Sequence, residues 1–231
     1  MAAATHRAAH QVLEHGRIFS DPLAVAILGV DQDDIVRHAR QTPSSRRMRL
    51  FINIRTRFAE DSLASAYAHG VRQLVVLGAG LDTYAYRKEL PDGLRVFEVD
   101  HPATQAFKRE RLAAAHIDLP SALSYVPVDF ERDGCGESLS AAGFDPNART
   151  FVTWLGVIPY LTEQAIWSTL NYIARLPGGA EVVFDYSNPP DQLPPERRAE
   201  HEQRAAHVAE LGEEWLSYFD TETLHERLFA I

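Results

Sequence analysis

The chain has 231 residues, 45% of them hydrophobic and 24% charged, which suits one soluble domain with a real core. A formal charge of −9 repels phosphate backbones and argues against a nucleic-acid partner, and the densest basic run, Arg46-Arg47-Met48-Arg49 continuing to Arg55 and Arg57, is too short to reverse that. The single cysteine, Cys135, excludes an internal disulfide and a Cys-rich zinc site, and no stretch offers the roughly 20 apolar residues of a membrane span or, within Met1 to His10, the apolar centre of a signal peptide, so a cytoplasmic protein is expected.

In chain order, residues 11–70 read as helical. Asp21-Pro22 opens a short apolar stretch, Leu23 to Leu28, that Gly29 closes. A longer helix is predicted from about Arg46 to His69, with Phe51, Ile54, Phe58, Ala66 and Tyr67 near one face and Gly70 as its stop. The pattern then changes to five apolar strands at residues 73–77, 94–99, 123–128, 151–155 and 180–184. Helical segments separate them, one from His101-Pro102 to about Ala115 and one capped by Thr162 and ended by Pro177-Gly178-Gly179. Apolar strands alternating with helices predict a parallel sheet covered on both faces. The proline-rich and then charged stretch from Asn188 to Gly212 reads as a loop and an exposed helix, either a lid or a solvated helix without function. The expected organisation is a single domain over 1–231, with a helical cap at 1–70, a cofactor-binding core at 71–187 and a lid or C-terminal helical segment at 188–231.

Ligands on such sheets bind beyond the carboxyl ends of the strands. The first strand ends in Gly78-Ala79-Gly80, and three later ones end at Asp100, Asp129 and Asp185. Glycines after a buried strand let the backbone turn sharply and approach a ligand. Asp100, twenty residues past Gly80, is placed to accept hydrogen bonds from both hydroxyls of a ribose, although capping the helix that begins at Pro102 competes for the same oxygens. A pyrophosphate is disfavoured, because G-A-G-L-D-T has Thr83 at the third glycine position and Asp82 inside the would-be anion site. An acid there does not oppose a sulfonium. With Asp129 placed to meet an adenine amino group, S-adenosyl-L-methionine fits better than a nicotinamide dinucleotide.

The stretch RTRFAEDSLASAYAHGVRQLVVLGAGLDTYAYR, continuing through VFEVDHPATQAFKRERL, resembles the leucine carboxyl methyltransferase family. So do DPLA at 21–24, YVPVDF at 125–130, WLGVIPYLT at 154–162 and EEWLSYFD at 213–220. The resemblance implies a class I methyltransferase fold: a Rossmann-like α/β three-layer sandwich with a parallel sheet and an N-terminal helical extension. It also implies a role for Arg55, gripping the methionine carboxylate of the cofactor. Gly78, Ala79 and Gly80 would let the backbone approach, Asp100 followed by His101 would hold the ribose, and Asp129 and Phe130 would border the adenine. Leu155 would stand by the cofactor's reactive end, where relatives often carry Glu; relatives also often have Arg in place of Tyr84. The final two strands of the seven usual in this fold are expected to be absent, leaving the sheet edge at 180–184 open to a homo-oligomer partner.

The activity implied is methyl transfer to a carboxylate or hydroxyl of a small molecule. A carboxylate acceptor is ionised at neutral pH and needs no base; no catalytic residue is assigned, and His101 and His116 read as cap or surface residues. Two alternatives stay open: a non-catalytic cofactor-binding protein, motivated by Leu155 and the missing strands, and an NAD(P)-dependent oxidoreductase. No metal site is expected.

Overall fold

The structure, a computed structural model, describes residues 2–41, 45–87, 89–210 and 214–231. Gly212, which ends the charged stretch, and Glu213, which begins the EEWLSYFD motif, lie outside the described residues. Five strands form one sheet: β1 (Gln73–Leu77), β2 (Arg95–Asp100), β3 (Leu123–Pro127), β4 (Thr150–Trp154) and β5 (Ala180–Phe184). Their spatial order is β3-β2-β1-β4-β5, and every pairing is parallel. The order reverses direction beside β1, whose five residues are all buried. Such a switch point opens a crevice at the carboxyl edge of the sheet.

Nine helices are seen among the described residues. The N-terminal ones are α1 (Ala2–Leu13), α2 (Ala24–Leu28), α3 (Gln32–Gln41) and α4 (Ser45–Ala68). The strands are then interleaved with α5 (Pro102–Ala114), α6 (Cys135–Ala141) and α7 (Glu163–Ala174), and α8 (Pro195–Glu210) and α9 (Thr221–Phe229) follow β5. One face of the sheet carries Val75, Leu77, Phe97, Val126, Val152 and Trp154, packed against Leu139 of α6 and Ile166, Leu170 and Ile173 of α7. The opposite face carries Leu74, Val76, Val96 and Phe151, against Leu63 and Ala66 of α4. Burying side chains of this size contributes about 1.5–3 kcal/mol each. Helices α1, α2 and α3 form a third cluster with Leu81 and Leu112.

The helix ends follow local chemistry. Gly29 takes a left-handed conformation (φ 60°) and closes α2. Thr162 caps α7 by accepting the Ala165 N–H. No helix among the described residues is long and apolar enough to cross a membrane.

Two expectations need correcting. Between β1 and β2 there is no α-helix among the described residues; one turn of 3₁₀ helix (Tyr84–Tyr86) takes its place. Tyr84 and Ala85 are buried there, and the Asp92-Gly93 turn, with Gly93 at φ 71°, sends the chain directly into β2. The apolar face expected on α4 is also wrong for its first three members. Phe51, Ile54 and Phe58 are 44%, 53% and 62% exposed, and the helix instead buries Arg49, Ile52, Asn53, Thr56, Ala59, Leu63 and Ala66. Polar members of that buried face find local partners for part of their capacity: Arg49 pairs with Glu14, and Asn53 and Thr56 donate to the carbonyls of Arg49 and Ile52, while Arg49 Nη1 and Asn53 Oδ1 stay without a partner. The basic run is likewise spent on pairing, Arg47 with Glu200, Arg55 with Asp185 and Arg57 with Asp61.

Candidate functional site at the carboxyl edge of the sheet

The turn after β1 is held against β2. The Gly78 N–H donates to the Val99 carbonyl at 2.8 Å, and the Gly80 N–H donates to Asp100 Oδ2 at 2.6 Å. Gly78 and Gly80 have φ of 64° and 47°, which favours glycine at both positions. At Gly78 a Cβ would also run into the Val157 side chain. Ala79 between them is buried.

Asp100 ends β2 with its second oxygen, Oδ1, accepting the His101 N–H at 2.7 Å. The competing role as helix cap goes to the next residue. His101 Nδ1 accepts the Ala103 N–H, so His101 is the N-cap of α5. Each Asp100 oxygen therefore spends one lone-pair direction on the backbone and keeps the other.

The far side of the crevice is built from α4, β4 and β5. Arg55 Nη1 donates to Asp185 Oδ2 at 2.5 Å, and Asp185 Oδ1 accepts the Gly156 N–H at 2.6 Å. Leu155, half-buried, immediately precedes that glycine. Gly156 has φ 72°, and a Cβ there would lie 2.8 Å from Arg55 Nη2. The 156–157 segment thus touches both sides of the crevice, Val157 meeting Gly78 and Gly156 meeting Arg55.

Asp129 and Phe130 stand beyond β3. The Asp129 carboxylate accepts the Glu131 N–H and lies 3.6 Å from Arg132 Nε, so it is engaged within its own turn. Phe130 is half-buried with its ring centroid 6.3 Å from that of Trp154. Sequence reasoning placed Asp185 at a strand end but gave it no role, and it overlooked Gly156 and Val157. The strand-end position was the one signal for Asp185; the glycine's signal is only its place after β4.

A brace holds the glycine turn from outside. Asp21, fully buried, accepts from Arg7 Nε at 3.1 Å and from Thr83 Oγ1 at 2.7 Å, while Arg7 Nη2 donates to the Leu81 carbonyl at 2.6 Å. Arg87 lies 3.9 Å from the same carboxylate and pairs with Glu60. Burial pushes the Tyr84 hydroxyl up to about 12, with the neighbouring Glu60 adding to it.

Beneath Asp100, Glu98 is buried against Lys108 at 2.7 Å, and Tyr86 donates to it at 3.0 Å. Burial raises the Glu98 pKa, and the Lys108 ammonium opposes the rise.

A parallel sheet with a glycine turn at its switch point, and an acid ending the neighbouring strand, defines a Rossmann-like nucleoside-cofactor architecture. The leucine carboxyl methyltransferase family model matches residues 1–174 of the 231, and the chain belongs to that family. YktD of Bacillus subtilis (strain 168), described as a candidate S-adenosyl-L-methionine-dependent methyltransferase, is 40% identical over 136 residues, which cover 58% of this chain and 44% of that protein. A similarly described protein of Parafrankia sp. (strain EAN1pec), Franean1_4929, is 35% identical over 191 residues, 79% of this chain and 61% of that one. The chain spans about half the length of the curated relatives it matches, 44% and 40% for the first two. The crystal structure of LaPhzM overlaps 98% of the chain and 63% of its own at 16% identity, with a TM-score of 0.43, too loose to carry a functional argument.

The residues present fit S-adenosyl-L-methionine. Arg55 Nη1 is taken by Asp185, but Nη2 hydrogen-bonds no described residue and is left to donate to an anion such as a methionine carboxylate. The turn from Gly80 meets a 3₁₀ turn rather than the start of an α-helix, so it lacks the helix N-terminus that a pyrophosphate uses.

Proposed function

We propose that this protein is an S-adenosyl-L-methionine-dependent O-methyltransferase acting on a carboxylate or hydroxyl of a small molecule. The observation that carries the reading is the pair of strand ends in which Asp100 receives the Gly80 N–H while keeping lone pairs for a ribose. Asp100 holds the ribose and Gly78, Ala79 and Gly80 admit the cofactor to the backbone. Arg55 takes the carboxylate. Phe130 packs beside the adenine, Asp129 reaches its amino group by leaving its own turn, and His101 fixes the start of α5 behind the ribose.

When bound, the cofactor supplies a methyl group already activated by its sulfonium. The chain's own residues then position the acceptor and exclude water, the larger part of catalysis for such a displacement. Leu155 contributes an apolar wall beside Gly156. An acceptor carboxylate needs no proton removed, which agrees with His101, the histidine beside Asp100, being occupied as a helix cap.

Residues 1–70 serve as a cap over the glycine turn, 71–187 as the cofactor core, and 188–231 as a lid, all in one domain. Pairing of two copies through β5 belongs to the same proposal. Among the described strands β5 pairs only with β4, and Ala180 and Glu181 are exposed. Calorimetric titration with S-adenosylhomocysteine, with NAD as comparator, tests the cofactor; an acceptor panel scored by mass gain then tests the transfer. Binding of NAD alone would overturn the proposal. Binding of S-adenosylhomocysteine with no turnover on any acceptor would favour a non-catalytic binder, the reading motivated by Leu155.

A further inference from the structure

We infer that Asp185 is a second ligand-binding residue, and that Arg55 and Asp185 together form a receptor for the zwitterionic amino-acid end of the cofactor, Arg55 taking the carboxylate and Asp185 the ammonium. The inference rests on the cofactor reading above and goes beyond it by giving the ammonium a partner.

The argument starts from the donor and acceptor count. A guanidinium has five N–H donors in a rigid fork. Asp185 occupies one of them, on Nη1, at 2.5 Å, while Nη2 hydrogen-bonds no described residue and is not sealed off as Nε is. Nη2 therefore keeps N–H donors for an incoming carboxylate, and a charge-assisted bond there is stronger than a neutral one. Asp185, for its part, has one hydrogen bond on each oxygen, from Arg55 on Oδ2 and from the Gly156 N–H on Oδ1. A carboxylate has about four lone-pair sites, so capacity remains for an ammonium.

The pair is placed for this use. Its side chains are 13% and 21% exposed, sheltered enough to strengthen charge interactions yet open at the sheet's carboxyl edge. The Gly156 backbone lies against the guanidinium where any Cβ would crowd it, at 2.8 Å from Nη2 and 3.0 Å from Nη1. Phe51 flanks the other side, its ring centroid 5.6 Å from the Arg55 guanidinium carbon. Orientation of the fork is therefore fixed by three neighbours before any ligand arrives. An Arg and an Asp side by side present positive and negative groups in the order opposite to that of an α-amino acid. A purely structural ion pair has no need of an open edge or a spare Nη2.

The test compares wild-type chain and Asp185→Asn by calorimetry against three ligands. These are S-adenosylhomocysteine, its deaminated analogue, which keeps the carboxylate, and 5′-methylthioadenosine, which lacks the whole amino-acid end. Wild type is expected to bind the deaminated analogue about tenfold to a hundredfold more weakly than S-adenosylhomocysteine, the range for one charge-assisted hydrogen bond. Asp185→Asn is expected to bind S-adenosylhomocysteine as weakly as wild type binds the deaminated analogue, with 5′-methylthioadenosine unchanged. Equal weakening of all three ligands in the variant would make Asp185 structural and overturn the inference. So would equal wild-type affinity for S-adenosylhomocysteine and its deaminated analogue, a result that needs no variant to fold. If wild type binds none of the three, the cofactor reading itself falls and this inference with it.

Discussion

Thr83 and Asp21 lie 62 residues apart in sequence and are joined by a hydrogen bond of 2.7 Å in which the threonine hydroxyl donates. The bond ties the chain just after the glycine turn to the N-terminal helical region. Arg7 closes the brace by donating both to Asp21 and to the Leu81 carbonyl. Asp21→Asn would leave Arg7 buried without its counter-charge, and breaking one side of a buried pair costs about 3–5 kcal/mol. Thr83→Val removes only a hydroxyl and is expected to cost about 1–3 kcal/mol, whereas Thr83→Ser should keep most of the bond. Urea unfolding of the three variants checks the ranking. Asp21→Asn as stable as wild type would mean that the brace contributes nothing.

The link between Gly80 and Asp100 makes a second prediction about binding. Asp100→Ala removes the acceptor of the Gly80 N–H as well as the proposed ribose contact, and should weaken S-adenosylhomocysteine by about a hundredfold, that is about 2.8 kcal/mol. Gly78→Ala puts a side chain where Val157 already stands and where φ is positive, so it should lose both affinity and stability. Far-ultraviolet circular dichroism alongside calorimetry separates the two effects. An Asp100→Ala protein with wild-type affinity would remove this acid from the site.

Much of this arrangement is legible in the sequence because each piece has a local cause. The strands are short apolar runs ended by glycine or aspartate, and the caps at Gly29 and Thr162 follow from backbone chemistry. What escapes is tertiary. On α4, spacing alone offers two stripes, and the bulkier apolar one, Phe51, Ile54 and Phe58, turns outward while Arg49 on the other pairs with Glu14 within the cap. Helix α6 escapes because CGESLSA has little apolar periodicity, and the Arg55–Asp185 contact because it joins residues 130 apart.

The buried pair of Glu98 and Lys108 sets a pH-dependent stability. Burial raises the Glu98 pKa despite the Lys108 ammonium. A raised folded-state pKa gives a contribution that is fully present below the unfolded value and is lost as pH rises through the folded value. Lys108→Met removes the opposing charge, so the pKa rises further, and ionising Glu98 in the fold would leave a buried carboxylate without its partner. The variant should lose about 3–5 kcal/mol at neutral pH and recover part of it as the pH is lowered and Glu98 takes up a proton. Denaturant titrations of both proteins at several pH values check this; a deficit independent of pH would place the damage in packing rather than in the charge.

Cys135 offers the same logic at the alkaline end. It lies at the first position of α6, 6% exposed, and burial pushes its thiol up from 9.0 to about 11, with Thr169 opposing through a hydrogen bond. The folded protein therefore holds the proton more tightly than the unfolded chain does. Stability from this group is intact below about pH 9 and is lost between about pH 9 and 11, amounting to about 2–3 kcal/mol over two units. Tyrosines and lysines titrate in the same window, so the quantity to measure is the difference between wild type and Cys135→Ala, which share those groups. The Ala variant should show the shallower decline over this interval, since it has no thiol to deprotonate on unfolding. Parallel declines in the two proteins would mean that the Cys135 proton is held no more tightly in the fold than outside it.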